Sequence, residues 1–329
     1  MKKFKFLIAI LISVNYLSAQ DLHFSNLQLN NFYTSIASTG GTNAVYRGGL
    51  HYRNQWPTVG SAYQTIGLFT DYSIKMDDNA LGIGLIVNRD KAGDVGLTKL
   101  RAEANVAYHQ KITRFSRLSA GVQFGVTQHS IDESKGEWKN QYNGKAFDPN
   151  LPSREQPLFQ PFMNYGAGAG LAWNYDARAY NRFSMTFTKV DFGVSMYHIA
   201  SSPLDYYSNQ PEYNRIAITG SSIFVLDYNV YEIEPAFSYQ IKGNERELVF
   251  GALYKVILRE ESKYTGYYDK LDFSVGGYYR LPSDAIIPTF NMNYDNFQFG
   301  VSYDANISQL SQATSTIGAF ELTLRFLVR

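Results

Sequence analysis

The chain has 329 residues, of which 45% are hydrophobic, 16% aromatic and 18% charged, and it contains no cysteine. So many aromatic residues exclude a disordered chain. The lack of cysteine excludes a disulfide scaffold and a cysteine-ligated metal site. The formal net charge of +1 lacks the basic excess that nucleic-acid-binding proteins usually carry, so no nucleic-acid partner is expected.

Residues 1–19 have the three parts of an export signal peptide. A lysine-rich start at residues 2–5 precedes the apolar run Phe6–Val14, and the small residue Ala19 follows as the expected cleavage position. The alternative is a short membrane anchor, but the run is shorter than the ~20 residues of a spanning helix. No later apolar run is long enough for a transmembrane helix, so we predict an exported protein that spans no membrane with helices.

Residues 20–42 precede the first predicted strand and are unusually apolar for a free terminal segment. They include Phe24, Leu29, Phe32 and Ile36. Apolar surface of this kind is normally removed from water. Three arrangements follow: the segment plugs a barrel, caps its periplasmic mouth, or docks on a partner.

From residue 43 to residue 329, apolar and polar residues alternate with the period of two that is typical of half-buried strands. Residues 320–328 show this most clearly, because every even-numbered residue is apolar while Glu321, Thr323 and Arg325 occupy the opposite face. The pattern predicts fourteen strands: 43–54, 61–74, 80–88, 96–110, 116–130, 161–175, 182–199, 213–226, 229–241, 246–258, 269–280, 284–293, 296–306 and 317–328.

The length of these strands favours a membrane barrel over a soluble β-sandwich. Sandwich strands usually have ~5–6 residues, whereas a tilted strand needs ~9–11 to cross a bilayer. Aromatic residues such as Tyr52, Tyr72 and Trp173 lie near strand ends, as in the interfacial girdles of outer-membrane barrels. We therefore predict an all-β transmembrane antiparallel β-barrel of about fourteen strands, surrounded by membrane lipid in the cell outer membrane.

An even number of strands puts both termini of the barrel-forming chain on the same side of the membrane, the periplasmic side. Short turns should face the periplasm and long loops the exterior, which places 131–160, 200–212 and 307–316 outside. The connection Arg259–Tyr268 is long yet falls on the periplasmic side by this count. It is either a periplasmic protrusion or a sign that a strand near 176–199 has been miscounted.

Charged residues on the inward-facing positions predict paired networks inside the lumen, because an unpaired buried charge is costly. Possible cationic partners for the closely spaced Glu232 and Glu234 are Arg47, Arg53 and Arg215. The residues expected to face inward are Arg47, Arg53, Lys99, Arg101, Glu103, Glu232 and Glu234.

Groups for catalysis or metal binding are sparse. His51, His109 and His129 lack metal-binding spacing and are interpreted as polar lumen residues. A hydrolase would need a Ser and a His paired across strands; Ser119 and His109 are one conceivable combination, and no motif supports it. Gly166–Gly170 lacks the Lys-Ser/Thr of a phosphate-binding loop. We assign no catalytic, cofactor-binding or metal-binding residue.

Five segments stand out along the mature chain: Gln20–Ser25, Tyr52–Pro57, Asn88–Asp94, Asp284–Pro288 and Phe299–Asp304. Their order and spacing resemble one family, the PorP/SprF outer-membrane proteins of the Bacteroidetes type IX secretion system. The resemblance covers the mature chain and implies a non-enzymatic role in secretion and in displaying gliding adhesins. The partners it implies are the C-terminal sorting domain of a secreted cargo or adhesin and periplasmic peptidoglycan-associated secretion components.

The expected partner-binding residues lie in two predicted extracellular loops, since loops carry recognition on rigid scaffolds and aromatic residues dominate interface hot spots. In the first loop they are Trp138, Tyr142 and Phe147, and in the second Tyr206 and Tyr207. An alternative function is a passive or substrate-selective diffusion channel, which requires an open lumen.

Overall fold

In the computed structural model, the chain forms a closed antiparallel barrel. Its fourteen strands are β1 (Tyr46–Gln55), β2 (Tyr63–Met76), β3 (Asn79–Ala92), β4 (Leu97–Lys111), β5 (Ser116–Ser130), β6 (Phe162–Asp176), β7 (Phe187–Tyr197), β8 (Arg215–Asp227), β9 (Tyr231–Lys242), β10 (Glu245–Arg259), β11 (Leu271–Leu281), β12 (Ala285–Tyr294), β13 (Phe297–Asn306) and β14 (Ile317–Val328). The structure describes residues 23–41, 44–57, 62–93, 96–132, 136–152, 161–177, 187–201, 212–227, 230–259, 270–282, 285–307 and 316–328.

Each strand pairs with its neighbours in chain order, and β1 closes the barrel by pairing with β14. That seam runs without interruption from the Tyr46–Val328 pair to the Gln55–Ala319 pair. Closure leaves no free sheet edge, which is the condition for a β-sheet in hydrocarbon. The predicted all-β barrel of about fourteen strands is confirmed.

The alternating sequence explains the two surfaces of the wall. In β14, Phe320 and Leu324 point outward and are exposed, while Glu321 and Thr323 point inward and are buried. The same alternation recurs in β4, where Ala104 is exposed and Asn105 is buried. Because the side-chain period is two, each strand presents apolar residues outside and small or polar residues inside.

Strand ends differ from the predicted ones where polar residues interrupt the pattern. β3 continues to Ala92 rather than stopping at residue 88, because polar residues beyond that point remain paired with β2 and β4. Asp90, for example, accepts a 2.7 Å hydrogen bond from the Thr65 hydroxyl of β2. β1 begins at Tyr46 rather than at residue 43. β7 begins at Phe187, and the predicted residues 182–186 lie outside the described ranges.

The antiparallel order gives the barrel two distinct rims. The terminal rim carries the start of β1, the end of β14 and tight turns such as Asp77–Asp78 and Asp295–Asn296. The long-loop rim carries the connection 131–161 between β5 and β6. Since periplasmic turns of such barrels are short and external loops long, we expect the terminal rim to face the periplasm.

Residues 260–270 join β10 to β11 and therefore belong to the terminal rim. All fourteen predicted strands are present in order, so a miscounted strand does not explain this long connection. Most of it lies outside the described residues. Across the part of the chain that the structure describes, no helix is long and apolar enough to cross a membrane.

Candidate functional site: the lumen plug and the long-loop rim

Residues His23–Gly41, hereafter the plug, lie inside the barrel. Two short 3-10 turns, Asn31–Tyr33 and Ile36–Ser38, fold this segment compactly. Phe32 and Ile36 are almost completely buried although they come from a segment outside the sheet. Polar contacts reach strands all round the wall, at Asp71, His109, Ser195, Glu234, Arg280, Asn291 and Glu321.

The first residues of the plug are held by four buried charged side chains, which we call the Ser25 cage. Arg53 and Arg280 donate to the Ser25 hydroxyl at 2.8 and 2.6 Å. Arg53 also pairs with Glu321 and, at 3.0 Å, with Asp304, and Arg280 pairs with Asp304. Two cations therefore face two anions, which offsets the high cost of burying each charge.

Glu321 fixes the plug backbone as well as the arginine. Its two carboxylate oxygens accept the backbone N–H groups of Ser25 at 2.7 Å and Asn26 at 3.2 Å. The side chain of Asn26 donates to Asn291 at 2.6 Å. Buried backbone donors need partners, and here a strand of the barrel supplies them to the plug.

An aromatic cluster anchors the middle of the plug. Phe24, Phe32 and Tyr33 pack with Phe69 and Ile86 of the barrel wall. The rings of Phe24 and Tyr33 are 4.3 Å apart, and those of Phe32 and Phe69 are 5.2 Å apart. Buried aromatic contacts of this kind contribute more than their area alone, so the plug is packed like a protein core.

Two arginines of the wall bind the plug by different means. The guanidinium of Arg47 lies 4.9 Å from the centroid of the Phe32 ring, a cation–π distance. It also donates to both carboxylate oxygens of Asp71, at 2.9 and 2.6 Å. Arg325 donates to the backbone carbonyl oxygens of Gln28 and Leu29 at 3.4 and 3.2 Å. The Arg325 contacts supply hydrogen-bond donors to two plug carbonyls.

The last residues of the plug approach the wall backbone closely. Gly40 has a positive φ of 65°, and its N–H donates to Asp71 at 2.6 Å. The Thr39 carbonyl lies 2.8 Å from the His109 ring. A Cβ atom on Gly82 would clash with that carbonyl, so only glycine leaves room there.

Gly168, which belongs to the alternating stretch Gly166–Gly170, is another position where a glycine leaves room for the plug. A Cβ atom on Gly168 would lie 2.8 Å from the terminal carbon of Ile36. The small residue thus makes room for a bulky plug side chain. This agrees with interpreting the stretch as a strand rather than as a phosphate-binding loop.

The sequence-predicted charged residues fall into separate clusters. Arg53 belongs to the Ser25 cage and Arg47 pairs with Asp71. Arg101 lies 3.9 Å from Glu103, and both are buried. Lys99 is partly buried near the long-loop rim. Glu321 was placed on the polar face of the last strand but was left out of the predicted charge networks. Its position on that face of β14 was enough to include it.

Glu232 and Glu234 meet a different cation from the three proposed. Lys255, on the neighbouring strand β10, lies 3.5 Å from Glu232 and 3.2 Å from Glu234. It is also 3.6 Å from Asp272. Arg47, Arg53 and Arg215 were the wrong candidates. Arg47 and Arg53 lie on β1, which is not adjacent to β9. Arg215 lies on the adjacent strand β8, but it pairs in register with Lys242, at the far end of β9 from the two glutamates.

The Ser119–His109 pair forms, but beneath the plug. Ring nitrogen Nδ1 of His109 lies 2.7 Å from the Ser119 hydroxyl, and Nε2 lies 2.8 Å from the Thr39 carbonyl. Both side chains are about as buried as any in the barrel. The contact of Nε2 with Thr39 joins His109 to the plug. The other lumen histidines are also buried: His51 contacts Thr323 and His129 contacts Asn164.

Burial also sets the protonation of plug side chains. Desolvation lowers the pKa of His23, and the neighbouring Glu247 opposes this shift without reversing it. Desolvation raises the pKa of the Tyr33 hydroxyl. Both shifts favour the neutral form, as expected where the charged form loses its hydration.

At the long-loop rim, residues 136–152 form a compact loop with an exposed aromatic pair. Tyr142 and Phe147 face each other across a β-bridge, with 58% and 39% of their surfaces exposed. Backbone hydrogen bonds hold this hairpin, including one of 2.8 Å from Asp148 to the Gln141 carbonyl. Trp138 is partly buried at its base. Tyr206 and Tyr207 lie outside the described residues.

A plugged β-barrel with an apolar outer wall is an outer-membrane protein in class, and comparison with known proteins gives its family. The family model of the type IX secretion system membrane protein PorP/SprF matches residues 17–326. The chain belongs to this family and resides in the outer membrane. No curated protein matches the chain.

Three solved structures are similar to the chain over most of its length. The toluene transporter TbuX of Ralstonia pickettii shares 11% identity over 90% of this chain and 93% of its own, with a TM-score of 0.46. The P. putida toluene transporter TodX shares 11% over 89% and 90%, also at 0.46. BamA from Haemophilus ducreyi lacking POTRA domains 1–3 shares 9% over 86% and 70%, at 0.44. At these identities and TM-scores the likeness carries no conclusion about function.

Proposed function

We propose that this barrel acts without catalysis in type IX secretion, where it binds secreted proteins and anchors or displays them at the cell surface. The observation that carries the proposal is the plug, which is bonded to strands all round the wall. A lumen filled in this way leaves the rims as the surfaces on which the barrel acts. Family membership supplies the secretion system.

The plug argues against the alternative of a diffusion channel. A barrel of this size conducts solutes only if its interior is open. Here aromatic packing around Phe32 and the Ser25 cage occupy the interior. Lining charges that would attract a permeating ion are instead paired with one another or with the plug backbone.

The buried Ser–His pair gives no support to a hydrolase. Catalysis by such a pair needs a substrate carbonyl within reach of the serine oxygen. Ser119 is buried, and the second ring nitrogen of His109 faces the Thr39 carbonyl of the plug. The pair instead has a structural use, since it holds the terminal end of the plug.

We assign cargo binding to the long-loop rim and secretion-machinery binding to the terminal rim. Exposed aromatic side chains are rare on surfaces that meet only water and frequent at interfaces. Tyr142 and Phe147 fit the first role, with a cargo's C-terminal sorting domain as partner. Tyr206 and Tyr207 are proposed for the same surface. The periplasmic peptidoglycan-associated components implied by the family, and display of gliding adhesins, belong to this proposal as well.

Replacing both aromatics of the hairpin is expected to weaken cargo binding. In the Tyr142→Ala, Phe147→Ala double variant, affinity for the sorting domain should fall by roughly thirtyfold or more, because loss of a single hot-spot aromatic already costs ~2 kcal/mol. A pull-down with the isolated sorting domain measures this. Lys145→Ala, at the exposed tip of the same hairpin, is the matched control and should bind normally.

Both variants should keep the gel shift on heating that marks a folded barrel, because the hairpin lies outside the strands. Unchanged affinity in the folded double variant would remove this hairpin as the recognition surface. The secretion role would then have to rest on other loops of the same rim.

A further inference from the structure

The outer wall of the barrel has a groove beside the seam where β1 meets β14. The floor of the groove is the cross-strand pair of Gly48 in β1 and Thr70 in β2. At the next outward-facing pair along the same two strands, Leu50 lies opposite Leu68, and both side chains are exposed. The large apolar side chains of the outer surface are therefore interrupted at one cross-strand pair, and the wall is indented there.

Large side chains enclose this indentation. In the same row across the sheet, Thr70 is paired with Leu85 of β3, and Gly48 is paired with Phe326 of β14. Phe326 packs against Phe297 of β13, with their ring centroids 5.1 Å apart. The resulting groove has a volume of about 480 Å³, which falls within the ~300–1,000 Å³ of small-molecule sites.

A tyrosine hydroxyl lies in this groove, close to one surface of the membrane. The hydroxyl oxygen of Tyr46 is so near Gly48 that a Cβ atom on this glycine would lie 2.9 Å from it. Tyr46 is the first residue of β1, at the terminal rim, and two residues of a strand span only ~7 Å. The apolar band of such barrels is ~25 Å tall. The groove therefore lies in the leaflet nearer the terminal rim, which we expect to be the periplasmic one.

We propose that this groove is a phospholipid-binding site, in which one acyl chain of a lipid of the periplasmic leaflet lies along Gly48 and Thr70. The groove is continuous with the exposed apolar wall of a protein that resides in the outer membrane, so lipid is the occupant that its surroundings supply. A chain on the rest of the wall touches protein on one side only. A chain in the groove touches it on several sides and gains more dispersion contacts.

The polar part of the same lipid meets Tyr46. An ester carbonyl at the head of the acyl chain accepts a hydrogen bond, and the Tyr46 hydroxyl is a donor at the depth where such esters lie. The bound lipid would cover the β1–β14 seam, since Gly48 and Phe326 are partners across it. The inference depends on the membrane location of the barrel and not on the proposed cargo.

Filling the groove with a protein side chain tests the site. Gly48→Leu places a side chain on the groove floor, where the nearest atoms belong to the end of the Tyr46 side chain, which can turn aside. Thr70→Leu fills the same place from β2 and keeps the test available if Gly48→Leu does not fold. Ala120→Leu is the matched control, because Ala120 is an exposed residue of β5, four residues from the start of that strand at the terminal rim.

Each protein is reconstituted in phosphatidylcholine vesicles containing a phosphatidylethanolamine with a photoreactive diazirine in its acyl chain, and the gel shift on heating checks that it is folded. After irradiation, peptides of β1 and β2 should carry at least about fivefold more cross-linked lipid than peptides of β5, because the groove contacts a chain on more sides. This excess is expected in the unaltered protein and in Ala120→Leu. It should be lost in Gly48→Leu and in Thr70→Leu.

Uniform cross-linking around the unaltered barrel would overturn the proposal, and so would an unchanged excess in the folded variants that fill the groove. A dimer of the unaltered protein in which β1 and β2 are protected from the lipid probe would also overturn it, because a second copy would then occupy the groove. None of these outcomes bears on the secretion role, because no cargo takes part in the experiment.

Discussion

Removing the plug is expected to convert the closed barrel into an ion-conducting pore. Deleting His23–Gly41 takes away the aromatic packing and the polar contacts that fill the lumen. The remaining wall keeps its inward-facing polar residues, and a fourteen-strand barrel without a plug encloses an aqueous space. Planar-bilayer recordings should show steady conductance for the deletion variant and none for the intact protein.

A matched pair of glycine variants separates loss of the plug from loss of the fold. Gly82→Ala places a methyl group against the Thr39 carbonyl, whereas Gly125→Ala meets the flexible side chain of Glu103 at 3.1 Å and a backbone atom only at the ordinary contact distance of 3.6 Å. Both positions face the lumen. Gly82→Ala should therefore show intermittent openings while Gly125→Ala stays closed. A deletion variant that folds, shifts on heating and remains non-conducting would show that something other than the plug closes the lumen.

Glu321→Ala is expected to be the most destabilising single substitution in the Ser25 cage. It removes one of the two carboxylates that pair with Arg53 and the acceptor of the Ser25 and Asn26 N–H groups. Arg53 keeps Asp304, but two backbone donors stay buried without an acceptor, at ~1–3 kcal/mol each, so the expected loss is ~3–5 kcal/mol. Urea unfolding of the refolded protein in lipid vesicles should show a loss of this size.

An exposed ion pair provides the control for this loss. Asp78 pairs with Lys111 at the terminal rim, at 2.5 Å, with 74% of the Asp78 side chain exposed. Asp78→Asn should therefore change the free energy of unfolding by no more than ~1 kcal/mol. Equal stability losses in the two variants would mean that the cage does not hold the plug as the geometry indicates.

The barrel was predictable from sequence because each strand carries its own signal. In β14 the alternation of Leu322 with Thr323 and of Leu324 with Arg325 needs no knowledge of the rest of the chain. Strand ends were less predictable, since polar residues such as Asp90 resemble a turn until their lumen partners are known. Local pattern identifies strands well and their limits poorly.

The plug's path was not predictable, because the contacts that fix it join distant parts of the chain. Ser25 and Glu321 are 296 positions apart, and no local pattern couples them. The apolar residues Phe24 and Phe32 did indicate a segment that needs burial. Whether it plugs, caps or docks depends on the lumen that the folded wall encloses. The choice of Lys255 as the partner of Glu234 likewise depends on strand register.

Deleting the gene and measuring two quantities in the same strain tests the proposed role most directly. One is the amount of each large secreted protein that stays attached to the cell surface, and the other is the uptake rate of small solutes. A plugged, cargo-binding barrel predicts that one or a few secreted proteins lose their surface attachment while solute uptake is unchanged. Normal secretion and attachment, together with lost uptake of a specific solute, would contradict it.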